Sequence, residues 1–258
     1  MLLLSTSSLA GYGLHKIFLL ASAANYDGID LVIEHDNYDT WDKDYLKSIS
    51  KDTGVKIRAI TAPSQKLTEE KVNDIIQIAQ EVGAKVVSFS PPHISDKNIK
   101  WFKNLLPMLK PEGIDIAVQN VPPKFLFFII PEYKNSTLDQ IKKVTGSTAL
   151  DISGIDASSG MDIIKASLIL GNTIKMIYLS DRTSEKEGLV PGNAGGWVSH
   201  LPIESFLMKL KSSAYTGLFS IKVEPVELSA WIDKVVLEKL KKFSEYYEKH
   251  FLKFTVES

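Results

Sequence analysis

The sequence predicts an α/β fold of the (β/α)8 barrel class, a closed ring of eight parallel strands alternating with helices. The first observation behind this is a recurring unit: an amphipathic helical stretch, then a glycine, then a short apolar β-type run. It recurs at Gly28, Gly54, Gly83, Gly113, Gly146, Gly171 and Gly217, and a further apolar run at Leu2 to Ser5 brings the strand count to eight. The second is spacing, because the seven joints lie about 25 to 46 residues apart with no Pro-rich or Ser-rich linker between them. A chain that repeats βα units without interruption reads as one continuous barrel domain over residues 1–258. The competing reading is an open doubly wound sheet. Its phosphate-binding signature is missing, since the first βα connection, Ser7 to Gly13, holds a single Gly-x-Gly.

Taken in order, the first strand is Leu2 to Ser5. The apolar run stops after four residues and no basic segment precedes it, so a strand is expected here rather than a secretory signal. Gly28 leads into Ile29–Ile33, Gly54 into Val55–Ile60, Gly83 into Ala84–Phe89 and Gly113 into Ile114–Val118. Gly146 precedes Ala149–Leu150, Gly171 precedes Ile174–Ile177, and Gly217 precedes Leu218–Val223. A glycine that ends a helix in the left-handed conformation and releases the chain into a strand is the expected helix-to-strand joint. Among the helices, Thr68 supplies an N-cap, and Val72, Ile75, Ile76, Ile78 and Ala79 form one apolar stripe up to Gly83. The last helix runs from Leu228 to Phe251, with Trp231, Val235, Leu237, Leu240, Phe243 and Tyr247 expected to pack on the strands.

Composition narrows the function classes. The chain is 44% apolar and 24% charged, with 30 basic against 31 acidic residues and no cysteine. A chain of this length buries roughly three quarters of its unfolded surface, so it needs no disulfide or structural metal to hold a core. The lack of cysteine excludes disulfide frameworks, thiolate metal sites and thiol nucleophiles. A net charge of -1 provides no positive field for nucleic acid or anionic membrane, and no run of about 18 apolar residues suggests a membrane span. A cytoplasmic protein with a small-molecule partner is expected, without nucleic acid or membrane.

In a barrel of this class the site lies at the carboxyl ends of the strands. There stand Glu34, His35 and Asp36 after the second strand, Ser90 and His93 after the fourth, and Gln119-Asn120 after the fifth. Asp151 follows the sixth, Tyr178 and Asp181-Arg182 the seventh, and Glu224 the eighth. Lys222, within the eighth strand, is expected to face outward.

Five segments carry a family resemblance: Asn25–Leu31, Gly113–Asn120, Ala149–Asp151, Ile177–Asp181 and Tyr215–Glu224. In order and spacing they resemble the strand segments of the xylose isomerase-like TIM barrels. That superfamily includes sugar and sugar-phosphate isomerases and epimerases, hydroxypyruvate isomerase, inosose dehydratase and endonuclease IV. The resemblance implies a divalent metal (Mn, Mg, Co or Zn) held by Glu, Asp, His and Glu at the ends of the last four strands. Carried over, the positions are Gln119, Asp151, Tyr178 and Glu224, with Asp181 as a substitute for Tyr178. Gln119 and Tyr178 depart from the pattern and put the metal in doubt: an amide cannot act as a base, and a phenol would have to ionise. The few histidines and the absent basic surplus argue against the endonuclease branch.

The resemblance further implies a sugar or sugar-phosphate isomerase or epimerase that moves a proton next to a carbonyl. Glu224 is then the base, with His35 or His93 as a polarising group, and Glu34, Asn120, Tyr178, Arg182 and Trp197 contact a carbohydrate or sugar-phosphate substrate. The loop Gly192–Trp197 offers backbone N–H groups to an anion, with a plain surface turn as the other reading. The alternative function is a non-catalytic polyol-binding or regulatory barrel that has lost the metal site. Finally, Phe125–Ile130 is an apolar run with no strand slot left for it, expected to serve as a lid over the mouth or as a contact in a homodimer, with a short helix on the barrel rim as a third reading.

Overall fold

The computed structural model describes residues 1–96, 98–127, 129–155, 161–183, 186–191 and 201–254. Eight parallel strands form the barrel: β1 (Leu2–Ser5), β2 (Gly28–Val32), β3 (Ile57–Thr61), β4 (Val86–Phe89), β5 (Asp115–Gln119), β6 (Thr148–Asp151), β7 (Ile174–Leu179) and β8 (Leu218–Ile221). Neighbours in sequence are neighbours in space, and the ring closes where β1 pairs with β8, Leu2 opposite Phe219 and Leu4 opposite Ile221. The predicted fold class is the observed one, and the run at the amino terminus is a strand.

Period-two alternation divides each strand between two environments. One set of side chains, including Leu2, Leu4, Leu31, Val87, Phe89, Val118, Ile177, Phe219 and Ile221, packs outward into the core shared with the helices. The other set points into the ring. Its lower layers hold Leu3, Ala59, Val86, Ala117, Ala149, Met176 and Leu218, together with the ring of Tyr178. Small alanines face the large Met176 and Tyr178, which lets a narrow closed ring fill without voids.

The helices are α1 (Leu14–Ala23), α2 (Lys43–Thr53), α3 (Glu69–Val82), α4 (Leu138–Thr145), α5 (Ile163–Leu170), α6 (Ile203–Ser212), α7 (Pro225–Leu228) and α8 (Asp233–Tyr247). After β4 a short helical segment over 101–108 takes the place of a regular α-helix. In α3 the Thr68 hydroxyl accepts the N–H of Lys71 at 3.2 Å, and the buried stripe is the predicted one. The α8 face differs from expectation. Val236, Leu240, Phe243 and Tyr247 are buried, whereas Trp231 precedes the helix fully exposed and Val235 lies toward solvent. The helix begins at Asp233, so a stripe counted from Trp231 starts outside it.

The glycine joints work in two ways. Gly83 closes α3 at φ +73, and the N–H of Ala84 reaches back to the carbonyl of Ala79, the six-to-one bond of a left-handed helix end. Gly28 and Gly217 are different, because they are needed for close packing. A Cβ on Gly28 would lie 2.6 Å from both the Lys56 carbonyl oxygen and Arg58 Cγ. The left-handed positions before these two strands are filled by Asn25 (φ 59) and Ala214 (φ 53), with the same closing bonds from Tyr26 to Ala21 and from Tyr215 to Leu210.

The apolar run after β5 forms a two-stranded antiparallel hairpin, Phe125–Leu126 against Ile130–Pro131. Its base is tied to the loop after β4, where Ile94 donates to the Glu132 carbonyl at 2.7 Å and Lys134 to that of Pro92 at 2.8 Å. The expectation that these side chains would be shielded is not met within the chain: Phe127 and Ile129 are at least 80% exposed. No helix among the described residues is long and apolar enough to cross a membrane.

Ala214 carries a left-handed backbone that costs an L-residue about 1–2 kcal/mol, partly offset by the extra unfolded-state freedom of glycine. Ala214→Gly is expected to stabilise the protein by about 0.5–1 kcal/mol. A urea midpoint that stays put or falls would show that the strain is not there.

Candidate functional site

The inward positions turn polar at the carboxyl end of the barrel. Above the apolar layers stand Ser5, Asp30, Thr61, Ser88, Gln119, Asp151 and Ser220, all buried. Asp30 lies at the centre. Its carboxylate accepts the hydroxyls of Thr61 at 2.9 Å and Ser220 at 2.8 Å. The Tyr178 hydroxyl joins the same network, 2.8 Å from Thr61 Oγ1 and in contact with Ser88 Oγ. Burial pushes the Asp30 carboxyl above its ordinary range, against the opposing pull of these hydroxyls and of the Lys222 charge. Burial, and then the Asp30 charge, likewise raise the Tyr178 phenol well above its ordinary value.

Lys222 continues the inward face of β8, two residues beyond Ser220. Its ammonium lies 3.1 Å from Asp151 Oδ2 and 4.5 Å above the ring centre of Tyr178. This overturns the outward orientation expected from the sequence. The other carboxylate oxygen of Asp151 accepts the Ser153 hydroxyl at 2.8 Å and the Gly154 N–H at 3.4 Å. Asn120 holds the Asp151 backbone from both sides: its amide donates to the Asp151 carbonyl at 2.9 Å and accepts the Asp151 N–H at 2.7 Å. Asn120 therefore positions Asp151. Gln119 donates to Ser90 Oγ at 2.6 Å, and its Oε1 is buried with no partner among the described residues.

The remaining expected residues are placed as follows. Glu224 is exposed at the N-cap of α7, and its N–H donates to the Gly188 carbonyl at 2.8 Å. Beside it stands Glu187, which the sequence reading missed. Partial burial raises its carboxyl first, and repulsion from Asp151 and Glu224 adds to this against the pull of Lys124 and Arg182. His35 is half-buried with both ring nitrogens engaged, Nε2 with the Gln65 carbonyl at 2.6 Å and Nδ1 with Lys71 Nζ at 3.3 Å. Those partners fix an Nε2–H tautomer and make His35 a brace between loops. His93 bonds Ser95 through Nδ1 at 2.6 Å and lies edge-on to Tyr133, which the hairpin brings to the mouth.

Arg182, expected to bind substrate, clamps the loop after β6 by donating to the carbonyls of Ser153 and Ile155. Asp181 is buried and accepts the N–H groups of Arg182 and Leu201, which makes it a loop anchor. Glu34 is exposed, with Asn37 at 3.4 Å. Trp197 and its glycine loop lie outside the described residues. A cavity of about 320 Å³ opens at this end between Asn120, Pro123, Thr137 and Ile155. A larger one, about 650 Å³, lies at the opposite end of the barrel beside Lys85, Asp115, Lys175 and Lys209, away from these groups.

A divalent ion needs oxygen or imidazole ligands within about 2.0–2.6 Å. Of Gln119, Asp151, Tyr178 and Glu224, Asp151 alone is a carboxylate buried in the barrel, and it already faces an ammonium. Two unit charges about 4 Å apart are worth about 4 kcal/mol at an effective dielectric near 20, and repulsion of a divalent ion is twice that. The Tyr178 hydroxyl is held down in the ring, and no group of three or more His, Asp or Glu among the described residues is arranged to hold a metal. The residues present do not fit a divalent ion.

A closed parallel barrel with a buried polar layer at its carboxyl end defines a barrel protein of the (β/α)8 class. The sequence profile of the xylose isomerase-like TIM barrel family matches residues 18–242, and the chain belongs to that family. Comparison with curated proteins finds no match. Solved structures show the same fold. The IOLI protein with a binding zinc atom is 18% identical with a TM-score of 0.71, covering 97% of this chain and 99% of its own. D-psicose 3-epimerase in the presence of D-fructose is 11% identical with a TM-score of 0.71, over 96% and 98%. A sugar phosphate isomerase/epimerase from Parabacteroides distasonis is 15% identical with a TM-score of 0.65, over 96% and 95%.

The raised carboxyl of Asp30 has a measurable consequence. The folded state binds this proton more tightly than the unfolded state, whose carboxyl stays near 3.8. The stability it contributes is therefore complete below that value and is lost as pH rises through the raised folded value. Asp30→Asn is expected to remove this loss, so urea unfolding from pH 4 upward should show the wild type falling relative to the variant. Parallel pH curves for the two proteins would refute the assignment.

Proposed function

We propose that the chain is a sugar or sugar-phosphate isomerase or epimerase-type protein that acts on a small hydroxy-carbonyl compound at the carboxyl mouth of the barrel. The observation that carries this reading is Gln119. A buried amide oxygen with no partner among the described residues, on the strand next to that of Asp151, is left for a ligand hydroxyl to satisfy, because an orphaned buried polar group is costly. The family membership and the sugar-acting proteins that share the fold support the substrate class.

In this reading the substrate carbonyl lies against the Lys222 ammonium, which draws electron density from it, and a neighbouring ligand hydroxyl donates to Gln119 Oε1. Glu224, with Glu187 beside it, takes the proton from the neighbouring carbon to give an enediolate; the hydroxyl proton of that carbon passes to the former carbonyl oxygen, and the carboxyl returns its proton to the former carbonyl carbon. One carboxylate suffices for a cis-enediol isomerisation. A second acceptor on the opposite face, which inversion requires, is supplied only if Glu187 reaches it. His93 and Tyr133 border the entrance and orient the ligand, and His35 braces the loops behind it.

The test is solvent deuterium incorporation into a panel of ketoses, aldoses and their phosphates, followed by NMR. Glu224→Gln is expected to slow exchange by about 100-fold or more, the ordinary contribution of a general base. If both Glu224→Gln and Glu187→Gln leave exchange unchanged, the base assignment is wrong. Saturable sugar binding with no exchange on any substrate would instead support a non-catalytic sugar-binding barrel.

A further inference from the structure

We infer that Lys222 is the resident cation of this barrel, a built-in ammonium that stands in place of a divalent metal and makes the site metal-independent. The argument begins with alternation. Leu218 and Ser220 point into the ring, so Lys222 does as well, and its side chain enters at the polar layer. There it is held by charge on one side, with Asp151 Oδ2 at 3.1 Å, and by the Tyr178 ring face at 4.5 Å on the other. An ammonium has three N–H donors. One goes to Asp151 and one is directed at the ring, while the third has no partner among the described residues. The Lys222 side chain is 29% exposed, so that donor is reachable from the mouth.

The surroundings match a single positive charge. Asp151 beside it supplies the negative charge, and Gln119 is neutral where another carboxylate would suit a doubly charged ion. The free N–H takes an oxygen of the ligand, a carbonyl or the enediolate it becomes. That last step rests on the function proposed above; the replacement of the metal does not.

Mn²⁺ alone is the probe, titrated into chelator-treated full-length protein and followed by water-proton relaxation. Wild type is expected to show no saturable binding. Lys222→Glu, which faces Asp151 with a second carboxylate, should bind Mn²⁺ at least about 100-fold more tightly than wild type, and Lys222→Met by a smaller factor. Adding Asp151→Asn to Lys222→Glu should abolish the gain, which locates the ion. Circular dichroism checks folding, and if Lys222→Glu does not fold, Lys222→Met carries the comparison. Tight stoichiometric Mn²⁺ binding by wild type overturns the inference. So does a folded Lys222→Glu or Lys222→Met variant that binds no better than wild type. Failure to find a sugar substrate leaves these readouts intact, so the two proposals fail separately.

Discussion

The structure depends on one geometric constraint, the closure of eight parallel strands into a ring whose interior must be filled by alternate side chains. No residue inside can be chosen alone, because each inward position shares its layer with neighbours across the barrel. The lower layers meet this by pairing Ala59, Ala117 and Ala149 with Met176 and Tyr178. Higher up the interior becomes polar, and every polar group must then find its partner from another strand. Asp30 is satisfied by β3 and β8, and Tyr178 of β7 reaches β3 and β4. This network fixes the floor of the mouth and determines what can stand on it.

What stands on it is a balance of charge. Asp30 is buried with no ion pair among the described residues, burial raises its carboxyl, and the Lys222 charge acts against that. Lys222 in turn is held by Asp151, and Asp151 by Asn120 through two backbone bonds. The order of dependence runs from Asn120 to Asp151 to Lys222. Several groups with the chemistry of ligand contacts are spent on geometry instead. Arg182 and Asp181 fix loops, and His35 is locked between Gln65 and Lys71.

The barrel was legible in the sequence because its signals are local. A left-handed glycine closing α3, a Thr68 cap and a stripe of five apolar residues each follow from chemistry within a few residues. The site was less legible because its contacts join residues far apart. Nothing near Arg182 in the chain foretells its bonds to Ser153 and Ile155. Lys222 is a different case: it shares strand parity with Ser220, and the alternation that puts Ser220 inside the ring carries Lys222 inside with it. Trp231 is exposed because it lies before α8 begins, outside the register of the buried stripe.

Replacing a divalent ion with an ammonium changes the demands on the rest of the site. A metal can grip two neighbouring oxygens at once and so orients a hydroxy-carbonyl compound by itself. An ammonium N–H engages one oxygen and leaves the ligand free to turn about it. Orientation must then come from other groups at the carboxyl end of the barrel. Gln119 is held through Ser90, Tyr133 is carried in by the hairpin against His93, and Glu187 stands beside Glu224. Selectivity in such a site comes from the hydrogen-bond pattern around a single charge. It therefore depends on Tyr133, in the loop after β5, and on Glu187, in the loop after β7.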